Sequence, residues 1–264
     1  MRFPGVGLRA LSDLLPSPTF IQVASGLFPR KGQPGKWRFI VNLSSPGGAS
    51  VNDGINTHEF TFHYITVDQI IRMVSRLGRG ALMAKFDVEA AYRNIPVRPS
   101  DRFLLGMKWQ GSYYVDLTLP SGLRSAPYIF NSVADMVEWI LVHSYEVSDL
   151  LHYLDDFITA RPPASIQCAR NLSTALAVCD QLGLPLHPGK CVGPAPVLTV
   201  LGIELDSVNQ VAHLPEEKLH ALRELIASWL ARSWCNRRAR VPNWSPPSCH
   251  ESGMAWSHLL TSHD

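Results

Sequence analysis

The chain has 264 residues, of which 46% are hydrophobic and 17% charged, with a formal net charge of +2 and a mean hydropathy of +0.02. That composition excludes an intrinsically disordered polymer, and no apolar run approaches the roughly 18 residues a membrane span requires. Length gives a prior of about two domains, and near-neutrality means that any nucleic-acid partner has to be met by basic residues gathered along one groove.

Five cysteines (Cys168, Cys179, Cys191, Cys235, Cys249), odd in number and without a C-x-x-C pair, argue against a secreted disulfide framework and against a structural zinc site. A reducing, intracellular compartment is expected. Pro4, Asp13, Pro16 and Pro18 interrupt any apolar core of a signal peptide.

Residues 1–19 show no period and read as a poorly ordered segment. From Phe20 to Leu43, two apolar runs flank Lys31-Gly32-Gln33-Pro34-Gly35, the pattern of two strands joined by a basic loop. Apolar residues at helical spacing follow Thr66, a plausible N-cap, and stop at Gly78. Ala81 to Asp87 is a short apolar strand ending on an acid, and Tyr113 to Thr118 alternates as a strand. Ser125 to His143 carries a long apolar face suited to a buried helix. Leu150 to Ile158 reads as two short strands hinged on Asp155-Asp156. A helix over Ala164 to Leu182 closed by Gly183 precedes a hairpin, Val197 to Leu205 and Val211 to Leu214, and an amphipathic helix from Pro215 to Arg232. Without a regular βαβ period, the class expected is α+β with a largely antiparallel sheet.

Tyr153-Leu154-Asp155-Asp156-Phe157 embeds adjacent acids in an apolar strand pair, where unpaired buried charge costs several kcal/mol. An ordinary Asp-Asp turn is one account; a site for a hard divalent cation such as magnesium is the other. Asp87, ending its own apolar strand, favours the second, because a third carboxylate beside the hairpin suits two-metal phosphoryl chemistry.

Five stretches in order carry a family resemblance: Phe86–Tyr92, Leu119–Pro127, Tyr153–Asp156, Gly183–Lys190 and Leu201–Leu205. They resemble the successive palm motifs of retroelement reverse transcriptases. Gly32–Arg38 and Val51–Ile55 are most similar in wording to DIRS-type elements, and the likeness runs from about residue 20 to 232. It implies a right-hand polymerase, with fingers and palm over residues 20–214 and a truncated thumb beginning at 215–235. The implied reaction is template-directed DNA synthesis from deoxynucleoside triphosphates on an RNA or DNA template with a primer. Two Mg²⁺ ions, with Mn²⁺ as an alternative, would serve it, and no membrane is involved.

The resemblance also implies roles. Asp87 and Asp155 would be the principal metal ligands, with Asp156 beside them and the Val88 carbonyl completing a shell. Tyr92 would be a steric gate against a 2′-hydroxyl; its other reading is a core tyrosine. Lys31 and Arg38 would hold the triphosphate, Ser121 and Gly122 would line the template and nucleotide, and Lys190 is a candidate general acid or else a solvated lysine. Ser121 and Asn42 depart from the family, which commonly has a larger side chain and an acid there.

Beyond residue 235 the period disappears into Arg237-Arg238-Ala239-Arg240 and scattered prolines and tryptophans. With permitted codons, the frame one base later over Arg238 to Trp244 reads Glu-Leu-Glu-Ser-Leu-Ile-Gly, similar to the family's thumb helix. Residues 236–264 are therefore either a frameshifted tail or a basic nucleic-acid arm. On the first account the ribonuclease H region of an intact element is expected downstream and not in this chain. Two rival functions stand beside the polymerase: a degenerate copy that only binds primer and template, and an unrelated metal-dependent phosphohydrolase.

Overall fold

The computed structural model describes residues 8–10, 22–29, 35 and 37–230. Its centre is a four-stranded antiparallel sheet of β4 (Leu82–Asp87), β7 (Leu150–Tyr153), β8 (Asp156–Arg161) and β9 (Val192–Ala195), in the order β7-β8-β4-β9. Helices cover both faces. On one, α2 (Ala126–Tyr145) and α3 (Gln167–Gln181) bury Phe130, Val137, Leu141, Ala175 and Val178 against Phe86 and Phe157. On the other, α1 (Val67–Leu77) sets Ile70, Met73 and Val74 against Met83, Ile158 and Ala160. A sheet covered on both sides favours apolar residues on both faces, which is why residues 81–84 read as a continuous apolar run instead of an alternating one, with Lys85 as the exception before Phe86.

Strand alternation then decides where the acids fall. Met83, Lys85 and Asp87 share one face of β4, and their register partners Ala160, Ile158 and Asp156 share the same face of β8. Between them Phe86 and Phe157, partners on the opposite face, stack at 4.7 Å and 10°. Such a cross-strand aromatic pair contributes about 0.5–1.5 kcal/mol beyond burial and pins the register that brings Asp87 opposite Asp156.

A second, five-stranded sheet runs β1-β6-β5-β2-β3, from β1 (Leu8–Ala10), β2 (Gln22–Pro29), β3 (Trp37–Asn42), β5 (Gly106–Trp109) and β6 (Ser112–Asp116). All its pairings are antiparallel except β2 with β5. Its core joins Val41, Leu43, Leu105, Met107 and Leu119. A three-stranded antiparallel sheet of β10 (Val197–Val200), β11 (Ile203–Asp206) and β12 (Val211–His213) leads into α4 (Glu216–Leu230).

The α+β class with a mainly antiparallel arrangement agrees with the sequence. Helix α1 has Thr66 as N-cap, in a reciprocal capping box with Gln69. Three expectations change. Val197 to Leu205, read as one strand, folds back at Leu201-Gly202 into β10 and β11, because both residues adopt positive φ (50° and 83°) and form a tight turn. Within residues 1–19, Leu8–Ala10 pairs with β6 as an edge strand. Strands β5 and β9 went unread because each is four residues long and contains glycine. Lys31 and the tail after Leu230 lie outside the described residues.

Gly193 shows how tightly β9 is applied to β4. It has φ +113°, and a Cβ there would lie 2.5 Å from the Met83 carbonyl oxygen and 2.7 Å from the Ala84 Cα. Both contacts are to backbone and cannot be relieved by a rotamer change. Gly193→Ala is expected to destabilise the protein by about 2–4 kcal/mol in urea unfolding. Gly47→Ala, with nothing within 4 Å of the added Cβ, should stay within about 0.5 kcal/mol.

Candidate active site

Asp87, the last residue of β4, is 3% exposed and faces Asp156, the first residue of β8. The hairpin between β7 and β8 turns on two residues, Leu154 and Asp155, and Leu154 holds φ 52°. A left-handed backbone at a leucine is uncommon and costs on the order of 1 kcal/mol. It allows a two-residue turn that carries Asp155 to the tip while Asp156 stays in the ladder.

Backbone bonds fix the surroundings of Asp87. The Val88 N–H donates to the Asp155 carbonyl at 3.0 Å, the Glu89 N–H to Pro185 at 2.8 Å, and the His187 N–H to the Asp87 carbonyl at 2.9 Å. This short pairing leads directly into the 3-10 helix Pro188–Lys190. Lys190 Nζ consequently donates to Asp87 Oδ2 at 2.6 Å, although the two residues are 103 apart in sequence. Val88 buries its side chain in the core and engages its N–H, so its carbonyl is the group left to serve a ligand.

Three carboxylates in this space work against one another. Burial, followed by the charges of Asp87 and Asp155, pushes the Asp156 carboxyl up to about 6. Asp155 is also raised, by burial first and then by Asp87, against the pull of its own backbone N–H and of Lys190. Lys190 is raised too: burial works to lower it, but its bond to Asp87 and the charges of the three acids outweigh that. Beside them opens a cavity of about 410 Å³ lined by Lys85, Asp155, Asp156, Lys190, Gly202 and Lys218.

Tyr92 sits in the 3-10 helix Ala91–Asn94 that follows β4. Its ring packs edge-on to Phe130 at 6.0 Å and touches the cores of both larger sheets. Burial, then Tyr64, Asp155 and Tyr153, pushes its hydroxyl up to about 12. Tyr92 is thus both a core residue and a neighbour of Asp155. Tyr64, which the sequence reading passed over, stacks on Tyr153 of β7 at 4.7 Å and 24°; alternating aromatics at Phe60, Phe62 and Tyr64 were the available signal.

Ser121 and Gly122 lie on a separate loop. Gly122 has φ +94°, with Val41 O 3.5 Å from where a Cβ would sit. Its carbonyl accepts from Asn52 Nδ2 at 2.9 Å, Asn52 Oδ1 accepts from the Arg124 N–H at 2.8 Å, and Asn52 Nδ2 also reaches Ser44 Oγ at 2.9 Å. Asn52 is 5% exposed and uses its whole amide to hold this loop. The wording of Val51–Ile55 gives no sign of this clamp, because Gly122 and Arg124 lie 70 and 72 residues away in the chain. Arg38 lies on β3 opposite Phe28, and Lys31 is outside the described residues. Asp87, Asp155, Asp156, Lys190, Val88 and Tyr92 are therefore brought together.

An antiparallel sheet with helices packed against it, presenting paired carboxylates next to a lysine-lined cleft, has the architecture of a polymerase palm, and the five-stranded sheet that of its fingers. The chain belongs to the reverse transcriptase (RNA-dependent DNA polymerase) family, whose model matches residues 29–205. It is 26% identical over 240 residues to Polyprotein P3 of Commelina yellow mottle virus, covering 84% of this chain and 11% of that protein. It is 25% identical over 194 residues to the retrovirus-related Pol polyprotein from transposon 412 of Drosophila melanogaster, covering 69% of this chain and 14% of that protein. The chain thus spans a small part of these relatives. Among solved structures, the foamy viral protease-reverse transcriptase in complex with RNA/DNA hybrid superposes with a TM-score of 0.63 at 17% identity, over 85% of this chain and 28% of that one. Its complex with double-stranded DNA gives 0.62 at 18%, over 84% and 36%. Among the described residues no helix is long and apolar enough to cross a membrane.

The crowding of acids has a pH signature in metal-free protein. A carboxyl raised in the folded state stabilises the fold while protonated, so the contribution of Asp156 is present below the ordinary value of 3.8 and is lost as pH rises towards 6. Asp156→Asn is expected to remove that loss and to be more stable than the parent at pH 7 by on the order of 2 kcal/mol. Urea unfolding with chelator between pH 4 and 7 measures it; parallel curves for the two proteins would contradict the assignment.

Proposed function

We propose that this chain is the fingers, palm and start of the thumb of a retroelement reverse transcriptase. It joins a primer 3′-hydroxyl to the α-phosphate of a deoxynucleotide on an RNA or DNA template. The observation that carries this reading is the pairing of Asp87 with Asp156 in register, with Lys190 Nζ 2.6 Å from Asp87. The DIRS-type affinity and the intracellular setting belong to the same proposal, the first resting on the wording of Gly32–Arg38 and Val51–Ile55.

The donor set fits magnesium. Asp87, Asp155 and Asp156 offer hard oxygen ligands, and their mutual repulsion and burial call for added positive charge. Among the described residues no three acidic, histidine or cysteine side chains form a group that could by itself hold a metal ion, so an ion bound here would have to take part of its shell from substrate phosphates and water. Two ions held by these acids and the Val88 carbonyl would stabilise the attacking and leaving oxygens.

The remaining tasks fall to the chain's own groups. Lys190 keeps its proton under the pull of three carboxylates and stands within reach of the acids, where it can protonate the departing pyrophosphate. Tyr92, wedged between two apolar cores, closes the space a 2′-hydroxyl would need. Lys31 and Arg38 neutralise the triphosphate, and the Ser121-Gly122 loop supports template and nucleotide, with Asn52 fixing its position.

Primed homopolymer extension by the purified chain tests the reading. Asp155→Asn, or chelation of divalent ions, should lower incorporation by at least about 100-fold while primer–template binding persists. Lack of incorporation by the parent with retained binding would point to a degenerate copy, and phosphate release from triphosphates without extension would point to a hydrolase. Tyr92→Ala should admit ribonucleotides about 10-fold or more better relative to deoxynucleotides; unchanged selectivity removes the gate.

A further inference from the structure

Asp116, at the end of β6, is fully buried, and one guanidinium nitrogen of Arg93 bridges both its oxygens, Nη1 lying 2.5 Å from Oδ1 and 2.6 Å from Oδ2. The same Nη1 reaches Thr118 Oγ1 at 3.3 Å, and the Arg93 side chain is itself 19% exposed. Burial raises the Asp116 carboxyl, and the hydrogen bond and charge of Arg93 oppose that rise. None of the roles described above uses this pair.

Its place in the chain gives it one. Arg93 is the neighbour of Tyr92 within the 3-10 helix Ala91–Asn94. Immediately after that helix, Ile95–Val97 runs antiparallel to Leu117–Leu119: the Val97 N–H donates to Leu117 O at 2.9 Å, the Leu119 N–H to Ile95 O at 3.0 Å, and Pro96 bridges Thr118. The second strand of this short ladder continues into Pro120-Ser121-Gly122. Tyr92 therefore precedes the ladder on one strand and the Ser121-Gly122 loop follows it on the other, with the Arg93–Asp116 pair locked beside them.

Stability alone is a poor reason for such a pair, since apolar residues of similar volume commonly replace a buried ion pair without loss. A single hydrogen-bonded geometry, by contrast, is what an apolar contact does not supply.

We infer that the Arg93–Asp116 pair is a positioning device that fixes the gap between Tyr92 and the Ser121-Gly122 loop and thereby sets the preference for deoxyribose over ribose. This rests on the reading of Tyr92 as the gate. A displacement of an ångström or less at either wall changes which sugar is accommodated, and mispositioning of that size alters rates by orders of magnitude.

The test compares the full chain with Arg93→Met/Asp116→Leu, which removes both charges together, and with Tyr92→Ala. Affinity for dTTP and UTP is measured on protein bound to an oligo(dT)-primed poly(rA) template, with KM and kcat followed in extension. The double variant is expected to fold, keep its affinity for primer and template, and lose about tenfold in its preference for dTTP over UTP, mainly in affinity and KM with a smaller change in kcat. If that variant does not fold, Arg93→Lys, which keeps the charge but not the planar guanidinium, must show a loss of about threefold. An unchanged preference in the folded double variant, or in Arg93→Lys if it is the one that folds, alongside a lost preference in Tyr92→Ala, overturns the inference and leaves the gate standing. An unchanged preference in Tyr92→Ala, or a parent that binds neither nucleotide, overturns the gate and this inference together.

Discussion

Asp87 and Asp156 face each other across β4 and β8 on a face shared with Met83, Ile158 and Lys85, and β9, α1 and the β10–β11 hairpin close around the same sheet. Two carboxylates in that position would repel, and each loses hydration on burial. The structure answers with charge from Lys190 and with an opening towards the lysine-lined cavity. Much of the local architecture serves to hold this unfavourable pair in place. The stacked Phe86 and Phe157 fix the register, the left-handed Leu154 shortens the turn, and the pairing of Val88 and Glu89 with residues 155 and 185 anchors the strand end. A cluster that is costly without a cation is one that gains most when a cation arrives.

Three further groups hang on short fixed contacts in the same way. Lys190 arrives through the His187 to Asp87 bond, Tyr92 through the 3-10 helix that leaves β4 after a left-handed Ala90, and the Ser121-Gly122 loop through Asn52 and the ladder with residues 95–97. None of the three is a free surface loop. Each is tied within a few residues to the strand that ends in Asp87 or to its immediate continuation, and preorganisation of this kind is what positioning chemistry asks for.

The parts of this arrangement readable in the sequence are those with a short-range signature. Thr66 and Gln69 announce α1, the apolar run into Asp87 announces a doubly covered strand, and Tyr153–Phe157 announces an acidic hairpin. The motif order supplied the assembly, since nothing local connects Lys190 to Asp87. The turn at Leu201-Gly202 escaped because apolar residues continue on both sides of it and only Gly202 breaks the run. Arg93–Asp116 escaped for a different reason: an arginine in a turn and an aspartate at a strand end each look solvated until the fold buries them, and their separation of 23 residues obeys no period. The clamping role of Asn52 escaped for the same reason, since its three partners lie as far away as Gly122 and Arg124.

The small net charge takes on a definite meaning once these positions are known. Lys85, Lys190 and Lys218 meet around one cavity, with Lys85 bonded to the Thr199 carbonyl at 2.6 Å and Lys218 to that of Gly202 at 3.2 Å. Asp155 and Asp156 line the same space, so cationic and anionic groups lie side by side where a bulk count sees cancellation. Carbonyls at the β10–β11 hairpin hold two of the lysines near the acids without neutralising them. A near-neutral chain can in this way present a steep local field at one cavity, and the field depends on the hairpin turn at Gly202 staying where Lys218 reaches it.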